Sequence, residues 1–183
     1  MYEQMYASAV VRPEKDAEVK LVVNRILKGK SEYLAAEKAT GVPWWFIGIT
    51  HFMEAGLFWP NHFKRHLHCG DPLTGRTTHV PKGRPKVDPI AGKGKPYTWQ
   101  ESAIDALTYM GYTKVKDWSI DNALQLFEKY NGLGYRSLGV PSPYLWSYTQ
   151  HYVKGKFVLD GKFDKNAVSK QPGVAALMKG LGV

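Results

Sequence analysis

Cysteine is almost missing from this chain: Cys69 stands alone among 183 residues, so no internal disulfide can form. Stability must then come from packing and hydrogen bonds, and a reducing compartment is compatible. Long apolar runs are lacking too. No segment reaches the roughly 18 to 20 apolar residues that a membrane span needs, and the opening MYEQMYASAV has neither the positive flank nor the apolar core of a secretory signal. The expectation is a chain made in a cytoplasm, without stable membrane insertion, that depends on another route if it acts outside. Internal repeats and low-complexity tails are absent, which excludes solenoids. Acidic residues are few, 16 against 25 Lys and Arg, for a net charge of +9. That surplus favours polyanions such as nucleic acid, anionic lipid or a bacterial envelope. It is concentrated between His62 and Pro96, where Lys64, Arg65, Arg76, Lys82, Arg84, Lys86, Lys93 and Lys95 face only Asp71 and Asp88.

With 44% hydrophobic and 13% aromatic residues, one domain spanning 1–183 is expected, with no separate binding domain. PEKDAEVKLVVNRILKG has apolar residues at helical spacing and stops at Gly29; SEYLAAEKATG is a shorter helix ended by Gly41; Pro43 suits the first turn of a third, closed by Gly56. Residues 57–97 carry Pro60, Pro72, Pro81, Pro85, Pro89 and Pro96, through which no helix persists. Here the pattern predicts an insert in which HLHC and TTHV pair as a β-hairpin through GDPLTG. Helices return with TWQESAIDALTYMG, opened by a Thr98 to Glu101 capping box, and SIDNALQLFEKYNG. SPYLWSYTQHY comes next, with Ser142 as cap and Pro143 at its first position. GKFVLDGKF reads as a short extended piece and NAVSKQPGVAALMKGL as a last helix interrupted near Pro172. The fold class is α+β, predominantly helical.

GVPWWFIGITHFMEAGLFWP, residues 41–60, is nearly all apolar yet holds Glu54. Aromatic and aliphatic residues cover almost every face of this helix, which predicts a central, buried element and an acid with little water around it. Such a group either finds a cation, for example His51 three residues earlier, or holds its proton; a helix C-terminus, with its partial negative charge, favours the proton. A carboxylic acid kept protonated is what glycoside hydrolysis requires to protonate the leaving oxygen. Asp71 in the expected hairpin offers a second carboxylate, although aspartates beside glycine and proline are common turn residues.

GVPWWFIGITHFMEAG, HLHCGDPLTGRTTHVPKGRP, TWQESAIDAL, DWSIDNALQLFEKYNGLGYR, SPYLWSYTQHYVKGKFVLDGKFD and AVSKQPG, in order across residues 20–180, closely resemble a family of bacteriophage and prophage lysozyme-type endolysins. The resemblance implies a lysozyme-like fold with the hairpin as a lip on the cleft, cleavage of the peptidoglycan glycan backbone, and release from a host or bacterial cytoplasm to the wall. The helix-borne Glu and the YNG segment also look like those of goose-type lysozymes and lytic transglycosylases. Carried over, Glu54 is the acid, and Tyr130 with Asn131 borders the glycan. Asp71 and Thr77 match the Asp-x5-Thr of phage T4-type lysozymes that positions the attacking water, although LFWPNHFKRHLHCG separates Glu54 from Asp71 by more than in those enzymes. Ala55 also departs from the goose-type pattern, where Ser follows the Glu. Tyr144 is a candidate to stack on or hydrogen-bond sugar, and His66 and His68 to hydrogen-bond it. The implied partner is the peptidoglycan glycan strand, bound by a monomer without cofactor or metal.

Two other classes compete. His51, His62, His66, His68 and His79 with Cys69 contain donors a zinc amidase would use, but neither HExxH nor a closed Cys/His spacing is present. A nucleic-acid-binding module would use the same basic and aromatic content, yet leaves Glu54 unexplained. AGKGKP lacks the Lys-Ser/Thr and the helix of a phosphate loop.

Overall fold

The computed structural model describes residues 2–56 and 61–183, so the first four positions of the expected insert, 57–60, lie outside the described residues. In chain order the elements are α1 (Tyr2–Ser8), α2 (Asp16–Lys28), α3 (Lys30–Thr40), α4 (Trp44–Ala55), α5 (Trp99–Tyr109), α6 (Ile120–Asn131), α7 (Gly134–Ser137), α8 (Pro143–Trp146), β1 (Lys156–Leu159), β2 (Lys162–Asp164) and α9 (Val174–Leu181). The protein is α+β and mainly helical, and none of the described helices is long and apolar enough to cross a membrane. The chain gathers into two compact units, residues 24–116 and residues 1–23 with 117–183.

In residues 24–116, α3 packs against α4 and α5. Gly41 ends α3 in the left-handed conformation, and Thr98 and Glu101 close the expected capping box on α5. One side of α4 is sealed: Phe46, Ile47, Ile49, Thr50 and His51 are buried. Gly48 lets neighbours come close, since a methyl group there would fall 2.7 Å from Ile26 Cγ2 and 3.1 Å from a Tyr33 ring carbon. Trp44, Trp45, Phe52, Met53 and Glu54, however, are only half-buried, which corrects the expectation of a helix enclosed on all sides. Lys30 covers part of the open face, its ammonium 4.4 Å from the centre of the Trp44 ring.

The expected hairpin of HLHC with TTHV does not form. The chain reverses earlier, through the His66 N–H on Asp71 O (2.7 Å) and the Leu73 N–H on Lys64 O (3.1 Å), leaving a single bridge between Arg65 and Pro72. TTHV instead curls onto the residues just beyond it: Thr77 N–H bonds Arg84 O (2.8 Å) and Gly83 N–H bonds Thr77 O (2.8 Å). Pro72, Pro81 and Pro85 lack the N–H that a ladder needs, so the pairing has too few donors to propagate. The antiparallel pair found among the described residues is β1 with β2, turning at Asp160 and Gly161 (φ +70).

In the other unit, α6 packs against α1, α8 and α9. Helix α1 was not expected from sequence. It docks by Tyr6, whose hydroxyl donates to Val183 O (2.6 Å), and by Tyr2, stacked on Trp146 at 6.4 Å. Helix α8 is one turn, far shorter than SPYLWSYTQHY predicted, and Ser142 makes no capping bond. It stops because the next residues pair with the N-terminal stretch: Arg12 N–H bonds Tyr148 O (3.0 Å) and Gln150 N–H bonds Val10 O (3.3 Å), with Tyr148 at φ +70. Helix α9 begins past Pro172, and Val174 to Met178 are all buried.

Gly173 touches backbone: a methyl group would fall 2.6 Å from Leu145 O and 2.7 Å from Ser147 N. Gly173→Ala should therefore cost about 1–3 kcal/mol by urea denaturation. Gly75→Ala, at a site with open space around it, should leave the midpoint where it was.

Candidate active site

Glu54 sits in the last turn of α4, which ends where the Gly56 N–H bonds Phe52 O. It is half-buried, so the desolvation expected from sequence is only partial. Tyr112 is its electrostatic neighbour: this phenol, packed edge-on against Phe46 at 5.1 Å, is pushed well above its usual range, first by burial and then by the Glu54 charge. His51 is no cationic partner for the acid. It is buried, its Nδ1 is 3.0 Å from the Tyr33 hydroxyl, and burial pushes its pKa down to about 3, keeping it neutral. Phe63 and Trp99 complete the ring cluster around it, at 5.5 and 5.2 Å.

Gly70 brings the second carboxylate to the same end of α4. It is at φ +71, and a methyl group there would lie 3.4 Å from Ala55 Cα, so the residue before Asp71 rests on the residue after Glu54. The left-handed backbone is what favours glycine here, since a methyl group would make only an ordinary van der Waals contact with Ala55. Asp71 is buried and fully engaged. One oxygen accepts from Thr78 N–H (2.7 Å), Thr78 Oγ1 (3.2 Å) and His79 N–H (3.0 Å), and the other from His79 Nδ1 (2.6 Å). Burial alone would raise its pKa; the hydrogen bonds from His79 and Thr78 overcome this and hold the group ionised, well below the usual carboxylate range.

The other candidates from the basic segment are committed inside the loop. The buried Thr77 hydroxyl donates to Pro81 O (2.6 Å) and accepts from Arg84 N–H (3.0 Å). His66 is buried with both nitrogens used: Nε2–H donates to Gly75 O (2.9 Å), which fixes Nδ1 as acceptor from Ser102 Oγ (2.7 Å). Both ring nitrogens of His68 are closed to solvent, and burial pushes its pKa down to about 4. These rings therefore hold the loop together and present no nitrogen at the surface to a polymer. Arg84, missed as a structural residue, grips Asp105 in two bonds (2.9 and 2.6 Å) and lies 4.7 Å from the Tyr109 ring centre. Among the described residues no group of three or more His, Cys, Asp or Glu is arranged to hold a metal ion.

Tyr130, Asn131 and Tyr144 belong to the other unit. Asn131 and Tyr144 line an open cavity of about 500 Å³ whose walls include Tyr135, Phe157 and Gln171; Tyr130 is half-buried and does not line it. Sequence reading missed β1 as a wall of this groove. Asp160-Gly161 between short alternating segments was the available hairpin signal. Tyr135 supports that wall, its hydroxyl accepting from Phe157 N–H (3.0 Å).

No family model, curated protein or solved structure matches the chain.

The neutral buried histidines set an acid limit on stability. When the chain unfolds, His51 and His68 take up protons below their ordinary value of 6.5; stability is full above that pH and is lost as pH falls toward about 4 for His68 and about 3 for His51. Each contributes a slope of up to about 1.4 kcal/mol per pH unit. Urea denaturation from neutral pH down to about 5 should register this fall, and a flat profile would mean that the rings are solvated.

Proposed function

We propose that the protein is a peptidoglycan hydrolase of lysozyme-like fold that cleaves the β-1,4 bond between N-acetylmuramic acid and N-acetylglucosamine, with Glu54 as general acid. The observation that carries this reading is the contact of Gly70 with Ala55, each next in sequence to one of the two carboxylates. Their surroundings differ as such a reaction requires. Glu54 is half-buried, whereas Asp71 is locked as an anion by four hydrogen bonds. Glu54 protonates the leaving oxygen as the glycosidic bond breaks, and the Asp71 charge stabilises the positive charge that develops at the anomeric carbon. Asn131 and Tyr144, which line a cavity of the other unit, and Tyr130 are kept as candidates for contact with sugar. No cofactor enters the scheme, and the working form is a monomer acting at the wall after release from the cytoplasm.

A second reading draws on the saturation of Asp71 and Thr77. With its oxygens occupied by donors, Asp71 is a poor base, and the Thr77 proton is committed to Pro81 O, so neither is equipped to activate water. Glu54 alone would then act as acid and base, and the muramic acid 6-hydroxyl would take the place of water, as in a lytic transglycosylase.

Glu54→Gln should lower the rate of peptidoglycan lysis by about 10²–10⁴-fold while leaving the thermal midpoint unchanged; retained lysis sinks the assignment. Mass spectrometry of the digest separates the outcomes: new reducing ends mean hydrolysis, 1,6-anhydro ends mean transglycosylation. Free stem peptides, formed only without EDTA, would mean a zinc amidase instead.

A further inference from the structure

The loop from His79 to Lys95 exposes apolar and basic side chains together. Val80, Val87 and Ile90 are 87%, 71% and 90% exposed. A single exposed aliphatic residue is ordinary; three of them, almost wholly in water within one loop, are not accounted for by packing. The backbone beneath two of them is held: the Tyr97 hydroxyl donates to Val87 O (2.8 Å), and Ile90 N–H donates to the Glu101 carboxylate. The side chains are thus displayed from a tethered backbone.

Charge on this loop has one free sign. Lys82, Lys86, Lys93 and Lys95 are exposed, and among the described residues none of them is in an ion pair. The acids nearby are spoken for: Asp88 pairs with Arg76 (2.9 Å), Asp71 is enclosed by Thr78 and His79, and Asp105 holds Arg84. Helix α5, against which the loop is tied, directs Glu101 back to Thr98 and Ile90. The loop therefore carries four uncompensated ammonium groups and three exposed aliphatic side chains.

We propose that this loop binds the surface of an anionic phospholipid bilayer, the aliphatic tips entering the headgroup region and the lysines meeting lipid phosphates. A purely polyanionic partner such as DNA would reward the lysines and leave the aliphatic residues in water. An uncharged apolar partner would do the reverse. An anionic lipid surface satisfies both, because the headgroup boundary accepts apolar tips while its negative potential draws in lysine. The contact is peripheral, and it places a cationic protein at a membrane independently of any glycan cleavage.

The test is co-sedimentation of the full chain with vesicles of phosphatidylcholine alone and with vesicles that also contain phosphatidylglycerol. Binding is expected only to the second, and should weaken as salt is raised. Val80→Ser with Ile90→Ser should lower partitioning about tenfold. Replacing the four lysines by Gln should lower it further, by roughly fivefold per lysine. Unchanged thermal midpoints would show that each variant is folded, as expected for exposed sites. Glu54→Gln should bind like the parent, which separates this result from that of the lysis assay. Equal binding to phosphatidylcholine alone would overturn the proposal. So would a serine variant that binds like the parent, or duplex DNA competing fully with vesicles and binding the serine variant undiminished; either would reduce the loop to a polyanion patch.

Discussion

Asp71 accepts hydrogen bonds from two consecutive residues, Thr78 and His79, and the irregular stretch from residue 71 to residue 79 closes on that carboxylate. Proline is frequent between α4 and α5 and regular pairing minimal, so the backbone N–H groups at this turn need another acceptor. An ionised carboxylate is the strongest one a side chain can supply. The anion in turn needs those donors, because its burial would otherwise drive it toward the neutral form. Loop geometry and charge state are thus one constraint. Gly70 links this segment to the rest of the unit, since it rests on Ala55 in the last turn of α4.

The histidines share this logic with the opposite sign. His51 and His66 are enclosed among rings and hydrogen-bond partners, and His68 is sealed beside the Arg84–Asp105 pair that closes the loop over α5. Burial makes them neutral packing groups. Three of the histidines that the sequence offers as metal donors, His51, His66 and His68, are buried in this unit. The partners are a tyrosine hydroxyl for His51 and, for His66, a serine hydroxyl and a carbonyl.

The proposed chemistry depends on keeping two carboxyl groups in unlike surroundings. An acid that must exchange protons needs contact with water, and a charge that must stay fixed needs saturated donors. Glu54 is half-buried in the last turn of α4, and Asp71 is saturated by donors from Thr78 and His79. The loop beyond Thr78 carries four exposed lysines that are in no ion pair among the described residues, together with exposed Val80, Val87 and Ile90. One stretch of chain therefore builds an interior around Asp71 and, a few residues later, a charged apolar exterior.

Local signals were legible in the sequence wherever the physics is local. The capping box at Thr98, the helix stops at Gly29, Gly41 and Gly56, and the periodicity of α2, α5 and α6 depend on neighbours within a turn or two, and they appear where the pattern put them. Glu54 as an acid near the end of an apolar helix was equally readable. What the pattern could not supply were relations between distant residues. The half-exposed face of α4, the early stop of α8 and the docking of α1 depend on where other segments lie. The hairpin expected at HLHC and TTHV gave way to the Asp71 hub because a side-chain acceptor outcompeted a ladder weakened by proline. The sequence alone determined the helices from α2 to α6, the position of the acid and the basic surplus; tertiary structure decided the docking of α1, the length of α8, which histidines are buried, which lysines are left unpaired and what surrounds Asp71, because desolvation and pairing depend on contacts that only the folded chain brings together.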